Sequence, residues 1–161
     1  MIILEDTRQQ PGKHELKHNW WEANGVKVVR SKLVVGDYSF PPSVSVDTKA
    51  SLMEITQNLC GSIKEKRRFT AECKQAQEIG CKLVFLIETG QVKELEDLFD
   101  RNIELKSGQV IPGVQVARAM SVMSERYGVE FIFCPGKKAA EKVIDILELP
   151  QNHVTYILSI L

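Results

Sequence analysis

The stretch Gly36-Asp37-Tyr38-Ser39-Phe40-Pro41-Pro42-Ser43-Val44-Ser45-Val46-Asp47-Thr48-Lys49 reads as two antiparallel strands folded back at a double proline. Proline fixes φ and lacks an N–H, so Pro41-Pro42-Ser43 marks a turn. Val44 to Lys49 alternates with the period of a strand. Pairing Phe40 with Val44 sets Asp37 opposite Asp47, because each lies three residues further from the turn. Directly opposed residues have Cβ atoms about 4.5–5.5 Å apart, where like charges repel. The same period puts Ser45, Asp47 and Lys49 on one face and Val44, Val46 and Thr48 on the other. Two carboxylates and an ammonium thus meet at one end of a hairpin backed by an apolar face.

Opposed carboxylates tolerate one another when a cation lies between them. Mg²⁺ (or Mn²⁺) suits hard oxygen ligands, keeps several waters and needs only one or two protein carboxylates. Lys49 beside such an ion can orient or deprotonate a water, or stabilise charge on a phosphate. A surface hairpin with solvated Asp and Lys side chains has the same pattern, and the residues by themselves leave both readings open.

Working outward, Ile2 to Leu4 reads as a buried first strand ending in Glu5-Asp6. His14 to Asn24 has near-helical apolar spacing and is closed by Gly25. Val26 to Val35 is β-rich. Ser51 with Glu54 has capping-box spacing. Lys64 to Ile79 predicts a helix burying Phe69, Cys73 and Ala76. The unbroken apolar run Lys82 to Ile87 marks a strand buried on both faces, with Glu88 at its end. Gln91 to Phe99 predicts a short helix, and Arg101 to Gly113 a loop or small hairpin around Ser107-Gly108. Val114 to Tyr127 is helical and capped by Gly128, Val129 to Cys134 is a strand, and Ala139 to Leu149 is a helix before Pro150. The apolar residues Thr155 to Leu161 are expected to pack back on the body. This order gives an α/β fold with a central mixed β-sheet flanked by helices. Neither GxGxxG nor GxxxxGK[ST] occurs, which argues against nucleotide-cofactor chemistry.

A chain of 161 residues, 43% hydrophobic and 26% charged, suits one domain over residues 1–161. With 21 basic and 21 acidic residues, any polyanion must be held by a local patch rather than by net charge. The densest basic cluster is Lys64, Lys66, Arg67 and Arg68, either a phosphate-holding helix face or a solvated one. Met1-Ile2-Ile3-Leu4 is cut short by Glu5-Asp6, so neither a signal peptide nor an anchor is expected, and a cytoplasmic location is. Cys60, Cys73, Cys81 and Cys134 form no CxxC pair and read as reduced thiols. His14 and His18 share a helix face without a third ligand nearby, which disfavours a metal there. Of the adjacent Trp20 and Trp21, one should be core.

Asp6-Thr7-Arg8-Gln9 after the first strand, then Gly36-Asp37-Tyr38, then Val46-Asp47-Thr48-Lys49 before a helix, resembles the XPF/Mus81-type (ERCC4) nuclease domain. That domain is a branch of the PD-(D/E)XK, restriction-endonuclease-like superfamily. Arg68-Phe69, the strand ending in Glu88 and the Gly128-Val129-Glu130-Phe131 segment extend the likeness over about Ile2 to Leu149. The resemblance implies a divalent-metal-dependent DNA endonuclease selective for branched or flap DNA. Asp37 and Asp47 would bind the metal, with the backbone carbonyl of Thr48 as a further ligand, and Lys49 would be the catalytic lysine. Asp6 would be an additional acid near the metal, and Arg68, with Arg67 and Lys64, would meet the DNA. Glu88 and Arg8 would support the centre from behind. Three positions depart from the family: Asp47 stands for the usual Glu, Thr48 for Arg, and Gln9 for Glu. The tandem helix-hairpin-helix module common in such enzymes is not expected here, so a homodimer or a partner subunit would supply DNA grip, with the helix around Val114 to Met123 as a candidate interface. A catalytically inactive DNA-binding or scaffold subunit is the alternative, against which the retained Asp37, Asp47 and Lys49 argue.

Overall fold

The computed structural model describes residues 1–40 and 43–158, with side chains as far as residue 148. Pro41 and Pro42 of the expected turn, and the packing expected of residues 155–161, lie outside this set. The strands are β1 (Ile2–Asp6), β2 (Lys27–Ser31), β3 (Tyr38–Phe40), β4 (Val44–Lys49), β5 (Lys82–Glu88), β6 (Asn102–Glu104), β7 (Val110–Pro112) and β8 (Glu130–Cys134). The helices are α1 (Glu15–Ala23), α2 (Leu52–Cys60), α3 (Ile63–Glu78), α4 (Gly113–Tyr127) and α5 (Ala139–Leu158). Six strands form one mixed sheet in the order β2-β1-β3-β4-β5-β8, while β6 and β7 make the small hairpin expected near Ser107. β3 runs antiparallel to β1 and β4, and the remaining pairs are parallel.

Alternation along the central strands sorts the core into two layers. Leu83, Phe85 and Ile87 of β5 pack beneath α2, α3 and α4, against Ile55, Phe69, Cys73, Val116 and Met120. Val84 and Leu86 point the other way, joining Val44 and Val46 under α1 and α5 with Trp21, Val143 and Leu147. Phe85 lies between Phe69 (centroids 4.6 Å apart) and Phe131 (5.3 Å), which clamps α3 onto β5 and β8. Such aromatic pairs contribute about 0.5–1.5 kcal/mol each beyond the area they bury. On the opposite layer Trp21 is the core member of its pair, edge-on to Tyr38 at 5.0 Å and donating its indole N–H to the Ala140 carbonyl.

Three local expectations are corrected. β2 stops at Ser31 rather than continuing to Val35, because the Leu33 N–H turns to the Asp6 carboxylate instead of a neighbouring strand. Gln91 to Phe99 forms only a 3₁₀ turn over Leu95–Leu98, held open by Asp97 Oδ2 accepting the N–H groups of Lys93 and Glu94. α5 runs through Pro150 instead of ending before it, since a proline removes one helical hydrogen bond without forbidding continuation.

The irregular segment after β2 re-enters the sheet at Gly36, with φ +75°. A Cβ there would lie 3.0 Å from Ser45 Cβ and 3.1 Å from the Val46 carbonyl oxygen, so strand β4 leaves no room for a side chain. Gly36→Ala combines a left-handed backbone with this crowding and is expected to lower unfolding free energy by at least about 1 kcal/mol. Urea denaturation of the two proteins measures the difference, and an unchanged midpoint would contradict the strain.

Candidate active site

Because β3 is antiparallel to both β1 and β4, the C-terminal ends of β1, β4, β5 and β8 and the N-terminal start of β3 share one edge of the sheet. That topology gathers residues far apart in the chain: Asp6 to Gln9, Asp37, Asp47 to Lys49, Glu88, and Gly136-Lys137. The carboxyl ends of parallel strands are where open α/β sheets commonly build their sites.

The hairpin register is the one the alternation predicts, with Phe40 facing Val44 and Tyr38 facing Val46. Asp37 sits one residue past the last pair, its N–H donating to the Val46 carbonyl at 2.8 Å. Asp47 and Lys49 occupy the inner face of β4 and are buried, at 7% and 8% exposure. Lys49 Nζ lies 2.5 Å from Asp47 Oδ1 and 5.5 Å from the centroid of the Phe85 ring. The contact is a buried ion pair whose hydrogen-bond alignment is poor. Burial pushes the Asp47 carboxyl well above the usual carboxylate range; Lys49 pulls it back, and Asp37 and Glu72 push it further up. Burial alone would lower the Lys49 ammonium, but Asp47 outweighs it and the net shift is upward.

Asp37 is held differently. Its Oδ2 accepts the N–H and the hydroxyl of Thr48, both at 2.8 Å, and its Oδ1 accepts the side-chain amide of Gln9. Asp37, Asp47, Thr48 and Lys49 line one cleft of about 660 Å³, walled by Gln9 to Lys17, Glu54, Glu88 and Lys137. On its wall Lys17 pairs with Glu88, and both are largely buried. Glu54 spends one carboxylate oxygen on the Ala50 N–H at the start of α2. Asp47 and Lys49 also line a second cleft of about 350 Å³ on the α3 side, with Arg8, Asn58, Arg68 and Glu72. The acid–lysine pair is therefore the ridge between two openings.

Other expected residues are dispersed. Asp6 is 3% exposed, and its carboxylate is taken by Arg8 Nε and by the N–H groups of Arg8 and Leu33; it does not line the main cleft. Arg8 reaches on to the Leu33 carbonyl and borders the second cleft. Arg67 lies on an outer groove of α3 with Lys66 and Lys74, which adjoins the second cleft at Ala71. Lys64 is exposed near the start of the same helix. His14 and His18 do not act as a pair: His14 meets Gln9, and His18 meets Glu5. The four cysteines are free thiols.

A family model described as the ERCC4 domain matches residues 6–147. The chain belongs to the ERCC4 domain family. The fold of this ERCC4 domain is similar to that of XPF from Aeropyrum pernix, with a TM-score of 0.64 at 17% identity over 99% of this chain and 69% of that one. A second structure, XPF from Aeropyrum pernix in complex with DNA, gives a TM-score of 0.64 at 18% identity, covering 94% of this chain and 65% of that one. Among curated proteins no sequence matches the chain. No described helix is long and apolar enough to cross a membrane.

Glu72 is the site residue that the sequence reading misses. Its Oε1 accepts the Gly36 N–H at 3.2 Å, and its charge acts on both Asp47 and Lys49. The available signal is its place four residues after Arg68, which sets both on one side of α3. For Asp6, removal of the carboxylate strands the buried Leu33 N–H and frees Arg8. Asp6→Ala in this ERCC4 domain is expected to lose about 1–3 kcal/mol of stability. Urea unfolding tests this, and a variant as stable as the native protein would contradict the bracing role.

Proposed function

We propose that this ERCC4 domain is a divalent-cation-dependent DNA endonuclease that hydrolyses phosphodiester bonds, with branched or flap DNA as the preferred substrate class. The observation that carries the reading is the meeting of Asp37, Asp47 and Lys49 at one cleft on the shared strand edge. Membership of the family and a fold like that of a protein solved with DNA support it.

The donor set fits a hard cation. Two carboxylates lie at the cleft, one half-exposed and one buried against a single ammonium. Among the described residues no cluster of three or more His, Cys, Asp or Glu side chains forms a metal cage, and Mg²⁺ does not require one. Asp37 and Asp47, with the Thr48 carbonyl, would hold the ion. When bound, such a cation lowers the pKa of water and polarises a phosphoryl oxygen.

The protein's own groups do the rest. Lys49, ion-paired with Asp47, sets its ammonium where it can orient a phosphate or the attacking water. The Lys49 ammonium lies over the Phe85 ring. The second cleft brings Arg68 to the other side of the same ridge, where its guanidinium can hold a flanking phosphate. Arg67 and Lys66 continue that cationic surface along α3, and a second copy or a partner subunit would add grip.

Cleavage of plasmid and forked oligonucleotides with Mg²⁺ or Mn²⁺ tests the reading. Native protein should cut, and Asp37→Ala, Asp47→Ala and Lys49→Ala should each fall at least about 100-fold. Cleavage that survives Asp37→Ala would overturn the site, and DNA binding without any cleavage would mark the inactive scaffold. Separately, Arg68→Ala should weaken binding alike across DNA sequences and reduce the log–log salt slope by about 1. An unaltered slope would remove Arg68 from the interface.

A further inference from the structure

On the reading that Asp37 and Asp47 hold a divalent cation, the hydrogen bonds around Asp37 restrict how it can do so. Each carboxylate oxygen offers two lone-pair sites. Oδ2 spends both on Thr48, one on the N–H and one on the hydroxyl. Oδ1 spends one on the Gln9 amide nitrogen. One site on Oδ1 stays open.

Gln9 is fixed in turn. Its Oε1 lies 2.7 Å from His14 Nε2, so the His14 tautomer protonated at Nε2 donates to it. A flipped amide would set its oxygen against the Asp37 carboxylate, so the Asp37 end fixes the orientation and leaves Oε1 to accept from His14. His14 is half-buried just before α1, with its ring edge toward Tyr38 at 6.5 Å between centroids. The chain His14–Gln9–Asp37 therefore runs from a packed aromatic ring to the cleft, and Gln9 and His14 both line that cleft.

We infer that Gln9 and His14 are positioning residues that lock Asp37 and leave it one open oxygen site, so that the centre takes a single divalent cation through one oxygen of Asp37. A neutral amide beside Asp37 keeps the local negative charge low. It also disfavours Ca²⁺, which takes more oxygen ligands and often bidentate carboxylates. Partners that orient a metal ligand are commonly worth about 10–100-fold in metal affinity.

The test is calorimetric titration of Mn²⁺ into DNA-free protein, with circular dichroism on every variant. Native protein should bind one Mn²⁺ and bind Ca²⁺ more weakly. Gln9→Leu and His14→Leu should weaken Mn²⁺ binding about 10–100-fold. His14→Gln, whose amide N–H can replace the imidazole donor, should regain most of the affinity, which a purely space-filling role would not predict. Gln9→Glu should melt lower than native without cation and recover more than native when Mn²⁺ is added, because a third carboxylate then faces Oδ1. Folded Leu variants with native Mn²⁺ affinity, or two ions bound to native protein, would overturn this inference and leave the cation reading standing. Native protein that takes up no Mn²⁺ would overturn both.

Discussion

Asp47 and Lys49 lie on the inner face of a central strand, nearly out of water and against an aromatic ring. Each charge alone would cost several kcal/mol to bury, so each is tolerable only because the other is there. The pairing is incomplete, since Asp47 Oδ1 has no aligned donor and its carboxyl is pushed toward the neutral form. An apolar pair of similar shape would serve the fold as well or better. The sheet thus carries at this point an arrangement that packing does not explain. The stability comes from elsewhere, above all from β5, buried on both faces, and from the Phe69–Phe85–Phe131 stack that roofs the pair.

The same strand shows why the inner acid and the outer acid behave differently. Asp47 belongs to the ladder, so its side chain must point into the layer under α2 and α3. Asp37 lies just beyond the ladder, where its carboxylate reaches Thr48 and Gln9. One carboxylate is desolvated and under-bonded, and the other is well bonded and half-exposed. Placing both at one cleft requires the Gly36 turn to pass within contact of Ser45 and Val46, and the Gly36 N–H is tied to Glu72 of α3. The α3 helix thereby braces the site as well as flanking it.

What was legible in the sequence follows from how local its cause is. The β3–β4 register rests on a two-residue period and a turn signal a few residues long, and Phe40, Tyr38, Val44 and Val46 pair as that period dictates. The α3 helix follows from the apolar stripe of Phe69, Cys73 and Ala76, while the sequence reading misses the Ser62–Glu65 capping box that starts it. The illegible parts depend on partners distant in the chain. β2 ends where Leu33 meets Asp6, and Asp6 becomes a brace rather than a cleft residue for the same reason. Glu72 has the sequence context of any polar helix residue; only the approach of the Gly36 turn makes it part of the centre. Gln9 and His14 acquire meaning from Asp37, which enters the sheet 28 residues after Gln9.

Charge placement bears on how a polyanion would be held. The chain is neutral overall, with 21 basic and 21 acidic residues, so its surface field depends on which cations are already spoken for. In the larger cleft Lys17 is bound to Glu88 and Lys49 to Asp47, Lys13 and Lys137 are in no described ion pair, and the acids Asp37, Glu15 and Glu54 stand alongside. Towards α3, the described ion pairs leave Arg67 and Arg68 unengaged. Cations outside the described ion pairs therefore stand on both sides of the Asp47–Lys49 ridge, and so do acids, with Glu72 in the same cleft as Arg68. On the proposed function, phosphates would be held from both sides of the ridge, since phosphate contacts fix register and need carry no sequence information.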